Sequence, residues 1–599
     1  MTPDKVSRII KIAASVCFTF IIASLILIRN SPAEGYELSI YSAVPLPVWV
    51  FLIISIAGGL GIIVHQAFAK KQTGYWWLGF VILILSNAII VFMAPMRGYF
   101  LVGAGDSAVH VGLAENIISY GSFGGSLYPI THTLIAQISQ ICDIPAVVIA
   151  RYIPGFFSLL SMVFVYLLAR VTLPHRGQVL LAAAAGTILF YGALHVSIYP
   201  QALAVLTLPM TFYLYFRNLQ SPSVGFTLLF IVMIALYVYF YVLVSMAIII
   251  FLIAIELVKA YRRERASPNS IIICFVVLFT WISSSLAFGN TVQHIAAWLR
   301  GEVTQVKQVE QATVFLQSME RSDVIEFFSK MYTENLIYAI LSLIAVVMIV
   351  RMILHHQRGT RNPLLLAVLF LIGFPFHISL ALAITAVSLG RLANLNFAMW
   401  ITPVLVAFAL YELFKRKSVA LSAAVVGSIL FFCSVVAIFS VYYSPYVLEA
   451  NNQVTYQDVR GTEWFFTHKE PQLLYSSLGW QHGLAEGLLE RGGSAATTFS
   501  KNYQKLYYRQ AEFAIPDYLG YDEFQSFGDS VAEDRYLILT HYFKLVVSDP
   551  VLSQSMAGSA RGNIPTCDEH DLAKVEHDPA ISKLYSNGEF NILYVTSTR

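Results

Sequence analysis

A short polar stretch that directly follows an apolar run holds the residues best suited to chemistry in this chain. It reads GAGDSAVHVGLAENI over residues 103–117 and carries Asp106 and His110. Residues four apart share one face of an α-helix, so the carboxyl group and the imidazole ring would be neighbours. A carboxyl group at the edge of hydrocarbon can act as a base towards a hydroxyl proton, because desolvation raises its pKa. The alternative is a capping aspartate beside a surface histidine.

Five further polar residues stand where apolar runs end, in the segments YPITH (128–132) and HVSIYPQ (195–201). They are Tyr128, His132, His195, Tyr199 and Gln201. We expect them to line the same outer cavity as Asp106 and to form hydrogen bonds with an acceptor or a sugar. Turn residues and aromatic anchors at the membrane interface are the alternative. Asp106, His110 and His132 together could also hold a divalent cation, although the expected chemistry requires no cofactor.

Arg391 is the candidate for binding a phosphate group. It lies in SLGRLANLN, which separates two apolar runs on the same side as Asp106. A guanidinium group matches the geometry of phosphate with two parallel hydrogen bonds and keeps its charge at all working pH values. Arg300, in a long polar loop, is a second candidate. Alternatively, Arg391 is an anchor at the membrane interface whose guanidinium group reaches water.

The composition predicts that these residues are positioned by membrane-spanning helices. The chain of 599 residues is 57% hydrophobic and 12% charged, and its mean hydropathy is +0.67. Apolar runs of about twenty residues recur along it and predict a polytopic α-helical membrane protein with about 13 transmembrane helices. The run 178–195 is one of them, and the run 224–259 is long enough for two short helices or one broken helix. A net charge of +3 without a basic tail excludes a nucleic-acid partner.

Lysine and arginine residues between the apolar runs predict the orientation in the bilayer. They concentrate in alternate loops, which we place in the cytoplasm together with the N-terminus. Residues 1–444 then form the transmembrane domain of a multi-pass protein of the cell membrane. Two long loops of this domain, 95–144 and 290–334, lie outside, with a helix expected over 106–120 that Asp106 or Ser107 caps.

The composition changes near residue 445, where charged residues, glycine and tyrosine become more frequent. We expect a small extracytoplasmic α/β domain over 445–599 that binds an acceptor or serves structure. Its predicted elements are a helix over 455–467 and strands over 471–476, 535–540, 543–548 and 590–595. Asn587-Gly588 before the last strand is typical of a tight turn.

The arrangement resembles the GT-C superfamily of membrane glycosyltransferases, in which a long outer loop opens with an acidic residue on a short helix. The pattern GDSAVHVGLAENIISYGSF followed by YPITHTLIAQIS carries the resemblance. It is similar to uncharacterised archaeal and bacterial members related to protein O-mannosyltransferases and aminoarabinose transferases, and GYELSIY at 35–41 is similar to archaeal members. The acid follows the third predicted span here, whereas in the family it usually follows the first. The chain also lacks the Asp-x-Asp and Trp-Trp-Asp signatures of oligosaccharyltransferases.

The resemblance implies a membrane glycosyltransferase that uses a sugar carried on a polyprenyl phosphate of the dolichyl or undecaprenyl type. Asp106 matches the family's base, and Arg391 matches the residue that holds the departing phosphate. His110, which we place in the catalytic group because of its spacing from Asp106, is additional to the better-known members of the family, as is His132. We expect inverting transfer to a hydroxyl group of a glycan, lipid or protein outside the membrane. The alternative is a transporter or flippase of lipid-linked sugars, which usually shows inverted repeats. A non-catalytic scaffold for the outer domain is the third possibility.

Overall fold

The computed structural model is mainly helical, and a small mixed sheet lies near the C-terminus. The structure describes residues 3–70, 74–122, 128–264, 268–284, 293, 321–355, 361–384, 396–470, 472–479, 484, 487, 515–553 and 567–598.

The membrane part is a helical bundle that also contains one two-residue strand, β1 (Leu101–Val102). Its helices are α1 (Pro3–Arg29), α2 (Ile40–Ala43), α3 (Leu46–Phe68), α4 (Trp76–Val91), α5 (Met93–Met96), α6 (Ala104–Tyr120), α7 (Pro129–Cys142), α8 (Ala146–Thr172), α9 (Arg176–Ala185), α10 (Pro200–Gln220), α11 (Val224–Phe240), α12 (Val242–Tyr261), α13 (Asn269–Ser284), α14 (Arg321–Leu354), α15 (Arg361–Ile384), α16 (Asn396–Met399), α17 (Thr402–Phe414) and α18 (Val419–Ser440).

Seven helices in the described part of the chain are long and apolar enough to cross a membrane: α1, α3, α8, α12, α14, α15 and α18. Four shorter apolar helices accompany them, so a multi-pass membrane protein is supported, whereas the count of about 13 spans stays a prediction. The expected span 178–195 is not one continuous helix, because α9 ends at Ala185. The run 224–259 forms two helices that meet at Tyr241, which has an extended backbone.

The core of the bundle combines small residues with aromatic rings. Ala182–Ala185 of α9 are fully buried, and their small side chains let α9 pack closely against α3, α8 and α17. Near the centre, the rings of Phe212 and Trp400 stack with centroids 4.7 Å apart. Towards the outside, α1 leaves Ile12 and Ile22 more than half exposed, as expected for side chains that face lipid tails.

The C-terminal part contains β2 (Gln453–Val454) and a four-stranded sheet. Its elements are α19 (Tyr456–His468), β3 (Leu474–Leu478), α20 (Phe527–Ser530), β4 (Arg535–Thr540), α21 (His541–Ser548), α22 (Glu569–Val575), β5 (Ile581–Ser586) and β6 (Phe590–Val595). The sheet order is β3-β4-β6-β5, in which β3 runs parallel to β4 and the other pairs are antiparallel. Gly588 adopts a φ of 94° in the turn between β5 and β6, as the Asn-Gly pair predicts.

One prediction for this domain was wrong, and one strand was not predicted. Residues 543–548 form a helix and not a strand, because the Thr540 side chain caps α21 and accepts a hydrogen bond from the Phe543 N–H at 3.3 Å. Phe543 and Val546 then point to the core from one helical face. Strand β5 was missed because it lies at the sheet edge and exposes most of its side chains, so its pattern carries little hydrophobic signal.

Candidate active site

Helix α6 presents Asp106 near the start of the segment 95–144. The helix begins after Gly103, which has a φ of 108°, and not after Asp106 or Ser107 as the sequence suggested. Asp106 therefore stands in the first helical turn, where free backbone N–H groups favour a negative charge. Its side chain is exposed to solvent and not desolvated. An exposed carboxylate in this position is free to meet a substrate.

His110 and His132 form a pair beside this acid. His110 Nδ1 lies 2.9 Å from His132 Nε2, and the two rings meet edge to edge, with centroids 5.1 Å apart and planes 26° apart. His132 comes from α7 and is only 1% exposed. Burial lowers the pKa of His110 from 6.5 to about 4, although the Asp106 carboxylate opposes this shift. Burial also lowers the pKa of His132 to about 3, and His110 adds to that shift, so both rings are neutral at pH 7.

Tyr199 completes the group from the turn before α10. Its hydroxyl donates a hydrogen bond to the carbonyl oxygen of Gly103 at 3.3 Å, directly at the start of α6. The edge of its ring meets the His110 ring with centroids 6.5 Å apart and planes at 89°. The Tyr199 hydroxyl also interacts electrostatically with Asp106. The structure thus brings together four of the predicted residues, Asp106, His110, His132 and Tyr199.

Three other predicted residues lie in different surroundings. The His195 ring is 3% exposed and lies between the Ser158 hydroxyl, 2.9 Å from Nδ1, and the Tyr191 N–H, which donates to Nε2 at 3.2 Å. His195 therefore packs inside the bundle and does not face the cavity with Asp106. The Tyr128 ring packs against Tyr241 with centroids 4.9 Å apart. Gln201 is half-buried in the first turn of α10. Arg391 and Arg300 lie outside the described residues.

Buried hydroxyl groups lie beneath the start of α6. The Ser107 and Ser197 side chains both meet the space beside the Gly103 Cα, where a Cβ atom would lie 2.2 Å from one hydroxyl oxygen and 3.0 Å from the other. Both serines are at most 1% exposed, and neither hydroxyl has a hydrogen-bond partner in the described structure. Since buried polar groups are normally satisfied, these hydroxyls are suited to hold water or a ligand group below Asp106.

The C-terminal domain holds α6 in place, a feature that sequence reasoning missed. Strand β1 pairs with β2, and the Gly103 N–H donates to the carbonyl oxygen of Asn452 at 3.0 Å. Gly112 of α6 approaches Gly487 so closely that a Cβ atom on Gly112 would lie 2.3 Å from the Gly487 carbonyl oxygen. The two glycines allow direct backbone contact between the site helix and the outer domain.

A buried ion pair secures the same junction. Glu37 forms a salt bridge with Arg97, which is 2% exposed, and accepts a second hydrogen bond from the Tyr99 hydroxyl. The carbonyl oxygen of Glu37 accepts from Asn451 Nδ2 at 2.8 Å, and the Glu37 N–H donates to Gln453 Oε1 at 2.7 Å. This network, here called the Glu37 clasp, joins the segment between α1 and α2 to the residues that lead into β1 and to Asn451 and Gln453 at β2. In the sequence, this segment was noticed only because GYELSIY at 35–41 is similar to archaeal members of the family, and the network itself was not predicted.

One guanidinium group at the edge of the site is described. Arg151 of α8 donates from Nε to the Phe100 carbonyl oxygen at 2.7 Å and from a terminal nitrogen to the Tyr456 hydroxyl at 2.9 Å. It lines a small cavity with Val102 and Ile198, which directly precede Gly103 and Tyr199. No group of three histidine, cysteine or acidic side chains suited to a metal ion occurs among the described residues. A cation held by Asp106, His110 and His132 stays a prediction.

Comparisons with known proteins give structural neighbours alone. No protein-family model matches the sequence, and no curated protein matches it. The archaeal oligosaccharyltransferase AglB from Archaeoglobus fulgidus, solved with an inhibitory peptide and a dolichol-phosphate, is 13% identical with a TM-score of 0.44, covering 88% of this chain and 74% of its own. ArnT from Cupriavidus metallidurans, bound to undecaprenyl phosphate, is 11% identical with a TM-score of 0.41, covering 88% and 99%.

The apo state of the same ArnT is likewise 11% identical with a TM-score of 0.41, covering 86% of this chain and 98% of its own. Likeness at this level concerns general architecture and does not say what this chain binds.

Proposed function

We propose that this chain is a membrane glycosyltransferase that moves a sugar from a polyprenyl-phosphate donor to an acceptor hydroxyl on the outer side of the cell membrane. The observation that carries the proposal is the exposed Asp106 carboxylate, which stands in the first turn of α6 beside a neutral histidine pair. Because the His110 and His132 rings are neutral, the Asp106 carboxylate carries the charge of these three side chains. A carboxylate in that setting is suited to take a proton from a hydroxyl group.

The proposed reaction is a single displacement with inversion at the anomeric carbon. Asp106 accepts the proton of the acceptor hydroxyl while the acceptor oxygen forms a bond to that carbon. The bond from the carbon to the phosphate oxygen breaks, and the polyprenyl phosphate leaves with the bonding electron pair. The Asp106 proton is then released to water, which restores the carboxylate.

Arginine side chains are proposed to stabilise the phosphate that leaves. Arg391 and Arg300 are the candidates from the sequence. Arg151 is a third, because its guanidinium group lies at the edge of the site and keeps its charge. Of the predicted sugar-binding residues, Tyr199, Tyr128 and Gln201 would act in binding. His195 packs inside the bundle and is not part of this proposal, and His132 contacts His110 and not the sugar.

The proposal is tested by transfer from a polyprenyl-phosphate donor with a radiolabelled hexose, using purified protein in lipid and a panel of glycan, lipid and peptide acceptors. Asp106→Asn keeps the shape of the side chain and removes the base, so we expect transfer to fall by about 10²–10⁴-fold. Asp143→Asn is the matched control, since Asp143 is an exposed aspartate of the same outer loop at a φ of 54°, which asparagine tolerates. Its transfer rate should stay unchanged.

The outcomes separate the alternatives. Undiminished transfer by Asp106→Asn would remove this residue from the chemistry. Movement of intact donor between the two leaflets, without release of sugar to any acceptor, would favour a flippase. Retention of the anomeric configuration in the product would contradict a single displacement.

A further inference from the structure

We propose that His132 is a positioning residue that fixes His110 in the tautomer with its proton on Nε2. His110 then presents a hydrogen-bond donor beside the Asp106 carboxylate. The catalytic meaning of this arrangement rests on the proposed function, whereas the tautomer itself is a property of the protein without substrate.

The geometry requires one proton between the two rings. His110 Nδ1 and His132 Nε2 are 2.9 Å apart, a hydrogen-bond distance, so one nitrogen donates and the other accepts. A neutral imidazole carries one N–H and one lone pair. The direction of this single hydrogen bond therefore fixes the tautomer of both histidines.

The surroundings of His132 decide the direction. Its Nδ1 atom is buried and has no hydrogen-bond partner in the described part of the chain. If His110 donated, the remaining proton of His132 would sit on this Nδ1 and form an orphaned buried N–H, which folded proteins rarely contain. If His132 donates from Nε2, its Nδ1 carries only a lone pair, which is tolerated more readily. His132 is therefore the donor and His110 Nδ1 the acceptor.

Two further groups lie near the His110 ring. Once Nδ1 accepts, the proton of His110 lies on Nε2. The Asp106 carboxylate, four residues earlier on α6, interacts electrostatically with this ring. The Tyr199 ring lies perpendicular to the imidazole, with centroids 6.5 Å apart. Asp106 would then accept the hydroxyl proton while His110 donates a hydrogen bond to the substrate or to the carboxylate.

The tautomer can be measured by solid-state NMR on the full chain in lipid bilayers, with ¹⁵N in the histidine rings. We expect the His110 signals, identified by their loss in His110→Gln, to show a protonated Nε2 and an unprotonated Nδ1 at pH 7. His195 supplies an internal reference for the opposite tautomer, because the Tyr191 N–H donates to its Nε2. A protonated Nδ1 on His110 in the wild-type chain would overturn the proposal.

Two substitutions test the role of His132. The amide N–H of glutamine can still donate, so His132→Gln should keep the His110 tautomer, whereas His132→Leu should leave His110 as a mixture of both forms. An unchanged His195 signal shows that each variant is folded. Retention of a single Nε2–H form in His132→Leu would refute the positioning role.

The transfer assay gives a second measurement. His132→Leu should lower kcat by about 10-fold or more while KM for the donor changes little, and His132→Gln should recover most of the loss. A loss of the same size in both variants would contradict the tautomer role. The NMR result needs no substrate, so a failure of the proposed function and a failure of this inference are distinguished.

Discussion

Removal of the Glu37 side chain should destabilise the junction between the site helix and the outer domain. Glu37→Ala leaves the Arg97 guanidinium 2% exposed without its carboxylate, and it removes the acceptor of the Tyr99 hydroxyl. The backbone groups of Glu37 keep their bonds to Asn451 and Gln453, so the change is confined to the ion pair and the Tyr99 hydrogen bond. Breaking a buried pair from one side costs about 3–5 kcal/mol, because it leaves a buried charge uncompensated.

The buried cysteines provide the assay. Cys17, Cys274 and Cys433 are buried, so a thiol-reactive dye reports their exposure as the detergent-solubilised protein is heated. Cys142→Ser removes an exposed thiol from the background. Since 1 kcal/mol shifts the midpoint of a domain of 150–250 residues by about 2–4 °C, a loss of about 3–5 kcal/mol should lower the midpoint of Glu37→Ala by about 6–20 °C.

The matched controls show whether the charge is the cause. Glu34→Ala removes an exposed carboxylate from the same loop and should leave the midpoint unchanged. The double variant Glu37→Leu with Arg97→Met replaces the pair by apolar groups and should recover much of the loss. A Glu37→Ala midpoint equal to wild type, or a double variant as unstable as the single one, would refute this reasoning.

Three further predictions concern the helix contact and two sets of shifted pKa values. Gly112→Ala should slow transfer and expose the outer domain to protease, because a Cβ atom would lie 2.3 Å from the Gly487 carbonyl oxygen; Gly225→Ala, with open space around it, should do neither. The pKa values of His110 and His132 lie at about 4 and about 3, below the unfolded 6.5, so their contribution to stability is present above pH 6.5 and lost as the pH falls towards 4. Unfolding midpoints at pH 7 and pH 5 should therefore differ more in wild type than in His132→Gln. Burial lowers the pKa of Lys469 from 10.5 to about 8, so the side chain is charged at pH 7 although burial disfavours the charge. Lys469→Met should therefore raise the unfolding midpoint at pH 7, and an unchanged or lower midpoint would contradict this.

The parts of the fold that follow from local pattern could be predicted. Helix α6 lies where periodicity placed it, although it begins two residues earlier, and β4 and β6 match their predicted bounds. Elements whose secondary structure depends on a cap or on a neighbouring strand were not predicted correctly. Residues 543–548 are β-branched and aromatic enough for a strand, yet a cap at Thr540 begins a helix. Strand β5 exposes its side chains and exists because β6 lies beside it.

The site was predictable where its residues are close in sequence or share a polar setting. Asp106 and His110 follow from helical spacing, and His132 and Tyr199 from their positions at the ends of apolar runs. His195 stood in the same turn as Tyr199 and looked equivalent. The difference is that Ser158, on another helix, lies within hydrogen-bond distance of its ring, and a contact across 37 residues leaves no trace in local pattern.

The C-terminal domain helps to position the candidate site, although it adds none of the four clustered side chains. The backbone that leads into α6 is held by Asn452 and Val454, and the flank of α6 by Gly487, more than 300 residues away in the chain. Asp106 stands in the first turn of α6, so the direction of its carboxylate depends on how firmly the start of the helix is held. Contacts at that start act on the direction of the side chain more strongly than contacts further along α6. Variation in the C-terminal domain should therefore change the rate of transfer more than the affinity for the donor.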